Sequence, residues 1–413
     1  MFKFILQRIE RPTPSGKKYL SEIDGLRFVA ILLVILQHLS ERLIRNFPLP
    51  FAVPVKQDAF AFLVSRGTIG VFLFFAISGF VLALPFANSA NKIRLKDFYL
   101  RRLTRIEPPY IIWLLIFSSV LIFKGTYSLS EITPHFLTSA TYTHWFFYQE
   151  YSIVNPVAWS LEIEIQFYIV APFIAKAYFS IQNLLKRRLI LMVFIICYIF
   201  IMHYFGWLHF PMKATLLGRL PNFLIGFLAL DFYLFNTSVA FKLPKIIWDV
   251  VAPTLIIILC YTWTEELWKT IIFNIALLFL FISVFKSGYI NKLIKNPWIA
   301  AFGGMCYTIY LMHLPLLEGI FKITSRIVLT HYYAINLLLQ AIIALPIIGL
   351  CGILFYWGFE KPFMKMGWWK SIKLVSTISR HLSVISFSRR SVSNQQSSIS
   401  YQPSRELTNE KNS

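Results

Sequence analysis

The sequence predicts an all-α polytopic membrane protein with about ten transmembrane helices and both termini in the cytoplasm. Three observations lead there. The 413 residues are 57% hydrophobic and only 14% charged, with a mean hydropathy of +0.63. A soluble globular chain is about 45–50% apolar and about 25% charged. Apolar runs of the roughly 20 residues needed to cross a bilayer recur ten times along the chain. Finally, the basic residues divide unevenly between alternate connecting loops.

The ten runs cover roughly 23–39, 69–87, 107–123, 157–178, 189–208, 214–235, 246–261, 269–285, 297–318 and 334–358. With the N-terminus inside, the inner loops hold fourteen Lys and Arg and the longer outer loops hold nine. Basic residues are retained on the cytoplasmic side. Topology therefore accounts for most of the net charge of +21, and no nucleic-acid partner is expected. The opening "MFKFILQRIERPTPSGKKYL" has no long apolar core and no small-residue cleavage site, so the first span is expected to act as an uncleaved anchor. Residues 1–20 read as a cytosolic N-terminal segment and 21–366 as the membrane domain. Residues 367–413, rich in Ser and basic residues, read as a disordered cytosolic tail.

Two loops stand out. Residues 88–105 form a dense basic stretch on the inner side. Residues 124–156 form a long aromatic outer loop, expected at the interface or dipping back into the membrane. The four cysteines, Cys197, Cys260, Cys306 and Cys351, fall in apolar runs without metal or disulfide spacing, so buried inert thiols and no metal are expected.

Ionisable groups inside spans cost about 2.5–3.5 kcal/mol each on insertion scales and mark functional sites. In "GLRFVAILLVILQH", Arg27 and His38 are separated by ten residues, nine of them apolar. Eleven positions is close to three turns, so the two share a face about 16 Å apart along the axis. In "VAWSLEIEIQFYIVAP", Glu162 and Gln166 share one face while Glu164 and Tyr168 share another. In "GGMCYTIYLMHLPLLEG", Tyr310 and His313 lie on adjacent turns, with Tyr307 one turn deeper. Ser78–Gly79 falls near the middle of its span. His38, Glu164 and His313 reach similar depth on three helices, while Arg27, Arg101, Arg102 and Arg105 gather toward the cytoplasm. The pattern suggests a cavity with an anion-binding floor and an acid–base upper part.

These residues also fall into blocks. The chain resembles the acyltransferase-3 family of integral-membrane O-acyltransferases. "IDGLRFVAILLVILQHLS" is similar to the family's opening segment of Arg, ten residues, then His. "GTIGVFLFFAISGFVLA", "FYLRRLTRIEPPY", "VAWSLEIEIQFYIVAP", "YTIYLMHLPLL" and "FEKPFMK" resemble further blocks in family order, across about 21–366. Phe72, Glu107 and Thr308 depart from the usual pattern. The resemblance implies transfer of an acyl group, most often acetyl, from cytosolic acyl-CoA as cosubstrate to a hydroxyl of a cell-envelope or secreted carbohydrate, with no bound cofactor. It implies a multi-pass protein of the cytoplasmic (inner) membrane, with the lipid bilayer, acyl-CoA and a carbohydrate acceptor as partners.

Carried onto this sequence, it puts the family's His on His38, its Glu on Glu164 and its arginines on Arg27, Arg101, Arg102 and Arg105. An imidazole suits the base that takes the hydroxyl's proton, so His38 is expected in that role, with Glu164 or Tyr310 orienting its ring and His313 or Ser78 lining the acceptor site. Arg27, Arg101, Arg102 and Arg105 would hold acyl-CoA. Ser78, Trp159 and Ser160 are the acceptor-site candidates. Some members carry a fused extracytoplasmic hydrolase-like domain. The chain's length leaves no room for it, so transfer is expected to be completed alone or with a separate extracytoplasmic transferase partner. The rival expectation is a transporter or flippase of lipid-linked saccharide, which more often shows two similar halves or matching broken helices.

Overall fold

The computed structural model describes residues 6, 19–46, 51–89, 93–235, 243–327 and 329–364. Nearly all of the expected N-terminal segment and all of the expected Ser-rich tail lie outside the described residues. The helices form one compact unit that runs to Phe363. No strand occurs among the described residues.

In chain order the helices are α1 (Ser21–Asn46), α2 (Ala59–Ser65), α3 (Ile69–Ser89), α4 (Leu95–Phe123), α5 (Leu129–Ala140), α6 (His144–Tyr148), α7 (Trp159–Ser180) and α8 (Leu184–Tyr204). They continue as α9 (Leu216–Leu234), α10 (Lys245–Thr262), α11 (Leu267–Lys286), α12 (Tyr289–Ile294), α13 (Pro297–Gly304), α14 (Cys306–Thr324) and α15 (Tyr333–Phe355). Local sequence sets several of their starts. Asp58 caps α2 through Phe60 and Ala61, Asn183 caps α8 through Lys186, and Ser128 with Glu131 forms a reciprocal capping box on α5. Asn296 caps α13, with Pro297 at its first position.

Eight helices among the described residues are long and apolar enough to cross a membrane, and a bent pair makes a ninth. That pair is α13 and α14, joined at Met305 and bent by 72°. The sequence predicts one continuous span over 297–318. It breaks because α13 is pressed onto α1: a Cβ on Gly303 would overlap the carbonyl of Asp24. A broken helix at membrane depth needs its backbone groups satisfied, and the Met305 amide finds the Ala301 and Phe302 carbonyls at 3.2 and 3.1 Å. The expected span 189–208 falls on α8, which is 21 residues long.

Other expectations also change. The basic stretch 88–105 is not all loop. Helix α4 begins at Leu95, so Arg101, Arg102 and Arg105 project from one rigid element. The aromatic stretch 124–156 folds into α5 and α6. Arg187 and Arg188 are buried: both bind Asp231 of α9, at 2.5 and 2.8 Å, and the Tyr178 hydroxyl donates to the same carboxylate at 2.9 Å. Of the cysteines, Cys260 is buried, Cys306 and Cys351 are partly so, and Cys197 is exposed. The sequence places Cys197 in an apolar helix but does not say which way it faces.

Lipid tails are as apolar as Leu, so helices in a membrane associate by close packing rather than by escape from water. The tightest crossing is α3 on α9. A Cβ on Gly79 would overlap the carbonyl of Phe223, and one on Gly226 would overlap that of Ala76. Around this crossing Phe223 stacks on Phe75 at 4.7 Å and on Phe167 at 4.1 Å. All three rings are buried.

The segment around α5 and α6 is tied down by polar contacts. Glu162 accepts the Trp145 backbone amide at 2.9 Å, so this carboxylate anchors α6. Glu107 accepts from the Tyr142 hydroxyl at 2.6 Å. His135 Nδ1 lies 2.8 Å from His144 Nε2, and Tyr148 stacks on both rings. Burial, then the neighbouring His135, pushes His144 down to about 4.

Two outcomes follow. Gly79→Val or Gly226→Leu should abolish a monodisperse peak in size-exclusion chromatography, whereas Gly319→Ala, with open space around it, should keep it. Histidine NMR should show His144 neutral down to about pH 4. Because the folded state favours the neutral ring, the loop's stability is full above about 6.5 and is lost as pH falls toward 4. A midpoint near 6.5 would contradict the buried pairing.

Candidate active site

Helix α1 carries the site's two poles. Toward its C-terminal end, His38 Nδ1 lies 2.8 Å from Glu41 Oε2, one turn along the same helix. A carboxylate accepts, so Nδ1 carries a proton and Nε2 points away from Glu41. Glu41 is fixed in turn by Gln37 Nε2 at 2.9 Å and by Arg42 Nη1 at 3.1 Å. Arg42 also reaches Glu318 of α14 at 2.8 Å. Gln37 accepts from the Thr68 hydroxyl at 2.6 Å. The imidazole is therefore oriented by a carboxylate that two neighbours on α1 hold, themselves braced by Glu318 of α14 and by Thr68 just before α3.

On α14, the His313 ring lies 5.3 Å from that of His38 and 5.5 Å from that of Tyr310. His313 Nδ1 donates to the Tyr310 carbonyl at 2.7 Å. Its Nε2 is buried with no hydrogen-bond partner among the described residues. It is an acceptor only, so His313 packs against His38 and offers it no proton.

A cavity of about 720 Å³ opens beside this cluster, lined by His38, Glu41, Trp159, Arg219, Trp263 and Tyr310 among others. The second pole lies beside another cavity of about 300 Å³. There Arg27, Arg101, Arg102 and Arg105 all reach the lining. Arg27 is ion-paired with the buried Asp24. Arg102 donates to the Phe98 carbonyl at 2.9 Å and lies 3.6 Å over its ring. Arg105 faces the buried Glu360 at 3.7 Å, and that carboxylate also accepts from Thr308 at 2.5 Å. Arg101 is exposed. One wall of this cavity is Glu164, which accepts from Ser78 at 2.5 Å and from Tyr168 at 2.6 Å.

The two cavities share Val71 and Tyr310 in their linings. Tyr310 is pinned there, its hydroxyl 2.7 Å from Ser160 Oγ and 3.0 Å from the Val157 carbonyl. The predicted residues thus separate into two groups. His38 and Trp159 line the larger cavity. Glu164, Ser78, Ser160 and the four arginines line the smaller one, and Tyr310 joins them. Glu164 or Tyr310 was expected to orient His38, and the structure puts Glu41 in that role. The signal was present as the His–Leu–Ser–Glu spacing, which places residues i and i+3 on one helical face.

A family model described as an acyltransferase domain matches residues 20–357. The chain belongs to the acyltransferase-3 family. Its apolar helices and its family indicate a multi-pass membrane protein. A Staphylococcus aureus protein provisionally named an O-acetyltransferase is 25% identical over 85% of this chain and 58% of its own length. The peptidoglycan O-acetyltransferase OatA of Listeria monocytogenes is 27% identical over 40% of this chain and 25% of its own. A Bacillus subtilis protein, provisionally named a peptidoglycan O-acetyltransferase, is 24% identical over 73% and 49%. The chain thus spans about half the length of the curated relatives it matches over most of its own length. No solved structure matches it.

Proposed function

We propose that this protein moves an acetyl group from cytosolic acetyl-CoA to a hydroxyl of a cell-envelope carbohydrate, across the cytoplasmic membrane. The observation that carries the reading is the shared Tyr310–Val71 wall, which sets an arginine-lined cavity against a His38–Glu41 dyad. The positive-inside count favours both termini, and the arginine end, facing the cytoplasm, where acyl-CoA is made.

In this account the arginines grip the CoA phosphates with paired donors. Arg27 stands ready because Asp24 already fixes its guanidinium. The pantetheine arm passes Ser78 and brings the thioester to Tyr310. A hydroxyl is a poor nucleophile until its proton has somewhere to go. His38 Nε2 takes that proton, and Glu41 stabilises the resulting imidazolium. The acceptor oxygen attacks the thioester carbonyl, and the C–S bond breaks as the tetrahedral intermediate collapses. The CoA thiolate then takes the proton from His38, leaving an acetyl ester and free CoA. An extracytoplasmic partner that passes the acetyl group onward is compatible with the same first half of the reaction.

His38→Ala should abolish transfer of labelled acetyl from acetyl-CoA in membranes that hold normal amounts of protein, and retained activity would sink the assignment. Glu41→Gln should keep the fold and lose about 10²-fold in rate, the lower range for a positioned acid–base group. Arg101→Ala combined with Arg105→Ala should raise the KM for acetyl-CoA by roughly tenfold or more, since a hydrogen bond to a charged group contributes about 1.5–3 kcal/mol. An unchanged KM would mean that these arginines serve topology alone.

A further inference from the structure

The larger cavity carries more positive charge than its own carboxylates neutralise. Its lining includes Arg42, Arg66, Lys213 and Arg219 against Glu41 and Glu265. Two of the cations are satisfied. Arg42 binds Glu41 and Glu318, and Lys213 binds Glu265 at 2.8 Å. Glu265 is also held by His209 at 2.6 Å.

Arg66 and Arg219 make no direct ion pair with a carboxylate among the described residues, and Glu265, already held by Lys213 and His209, acts on Arg219 only from a distance. Arg66 donates to the Trp263 carbonyl at 2.7 Å and lies 5.1 Å over the Trp263 ring. Arg219 lies 4.6 Å over the Phe72 ring, and its Nε is buried with no hydrogen-bond partner among the described residues. It stands in the first turn of α9, within a membrane-spanning helix. A guanidinium in such a place is costly unless an anion meets it. Phe72 gives it a π face and no counter-charge.

The rest of the lining fits a sugar. Trp159, Trp263, Tyr151 and Phe210 offer flat apolar faces. Asn222 and Asn274, bonded to each other at 3.2 Å, add neutral polar groups deeper in the wall. Flat aromatic faces interleaved with many polar and charged groups suit a hydroxyl-rich ligand more than an apolar one.

We infer that this cavity selects an acceptor carbohydrate that bears an anionic group, a carboxylate or a phosphate, with Arg219 and Arg66 as its recognition residues. The inference rests on the proposed acetyl transfer for the word acceptor, but the binding it describes does not depend on catalysis. The guanidinium fork suits either oxyanion. The incoming charge replaces the counter-ion that the protein leaves out, so a neutral sugar of the same shape is discriminated against by the unpaired cation it leaves behind.

The test is calorimetric titration of the full chain in lipid nanodiscs. The probes are methyl β-D-glucuronide, glucose 1-phosphate and methyl β-D-glucoside. The charged probes should bind about tenfold or more tightly than the neutral one, which corresponds to about 1.4 kcal/mol, and the stronger of the two identifies the anion. Arg219→Gln should erase the preference. Arg219→Lys keeps the charge without the fork and should retain part of it. Arg66→Gln should reduce it independently. Equal binding of all three probes, failure of both charged probes to bind, or a preference that survives Arg219→Gln would overturn the inference. Displacement of the glucuronide by desulfo-CoA, lost in Arg219→Gln, would also overturn it by giving the guanidinium to the donor. His38→Ala should leave the preference intact. If that variant also keeps acetyl transfer, the reaction assignment fails while the anion site stands.

Discussion

A charge placed within the membrane must find its partner inside the protein, and α1 places two sets of charges there. Asp24 with Arg27 forms one, and His38 with Glu41 and Arg42 forms the other. The intervening apolar face keeps them about 16 Å apart. Both ends of the packing follow from this. At one end α13 closes onto the Asp24 turn and breaks the helix it would have continued. At the other, Glu318 comes from α14 to meet Arg42. The break and the ion pair together fix the rotation of α14. That rotation turns His313 toward His38 and Tyr310 toward Ser160.

The two cavities are the spaces left on either side of that arrangement. Their shared wall at Val71 and Tyr310 joins chemistry that must stay separate until the substrates meet. A polyanionic donor needs several guanidiniums, and four of them reach the smaller cavity. A hydroxyl acceptor needs an imidazole aimed at its proton, and the Glu41 contact at Nδ1 holds the ring with Nε2 facing away. Asp24 is buried, and stripping a buried charge of its partner costs about 3–5 kcal/mol, so the Arg27 end is held firmly. The reacting groups are preorganised by the same contacts that let the charges exist in the bilayer.

Much of this was legible from residues alone. Hydropathy located the middle of most spans, but it missed the polar ends that lengthen α1 to Asn46 and start α4 at Leu95. The expected 189–208 falls on a helix that is not one of the eight long and apolar enough to cross among the described residues. The Arg27–His38 spacing gave a shared face because three turns return to it. The arginine group on α4 was legible as a cluster but not as a helix, since charge density masks periodicity. The break at Met305 was not legible. Gly303–Gly304 permits it, but the cause is the carbonyl of Asp24, a contact between residues far apart in sequence. Glu164 was drawn toward His38 by depth alone. Depth fixes one coordinate, and the azimuth, set by Ser78 and Tyr168, sends Glu164 to the other cavity. Arg219 was counted with neither loop because it lies inside a span, and its importance comes from a buried Nε without a hydrogen-bond partner and from the lack of a direct ion pair among the described residues.

The central claim is that a single donor reaches from the arginine cavity to the imidazole through the Tyr310 wall. The most direct measurement is a cryo-electron microscopy structure of the protein with acetonyl-CoA, a ketone analogue of acetyl-CoA that cannot transfer its acyl group. The account predicts its phosphates among Arg27, Arg101, Arg102 and Arg105, with the ketone carbonyl beside Tyr310 and open to His38 Nε2. Phosphates held at Arg66 and Arg219, or an acyl end that stops short of Tyr310, would contradict it.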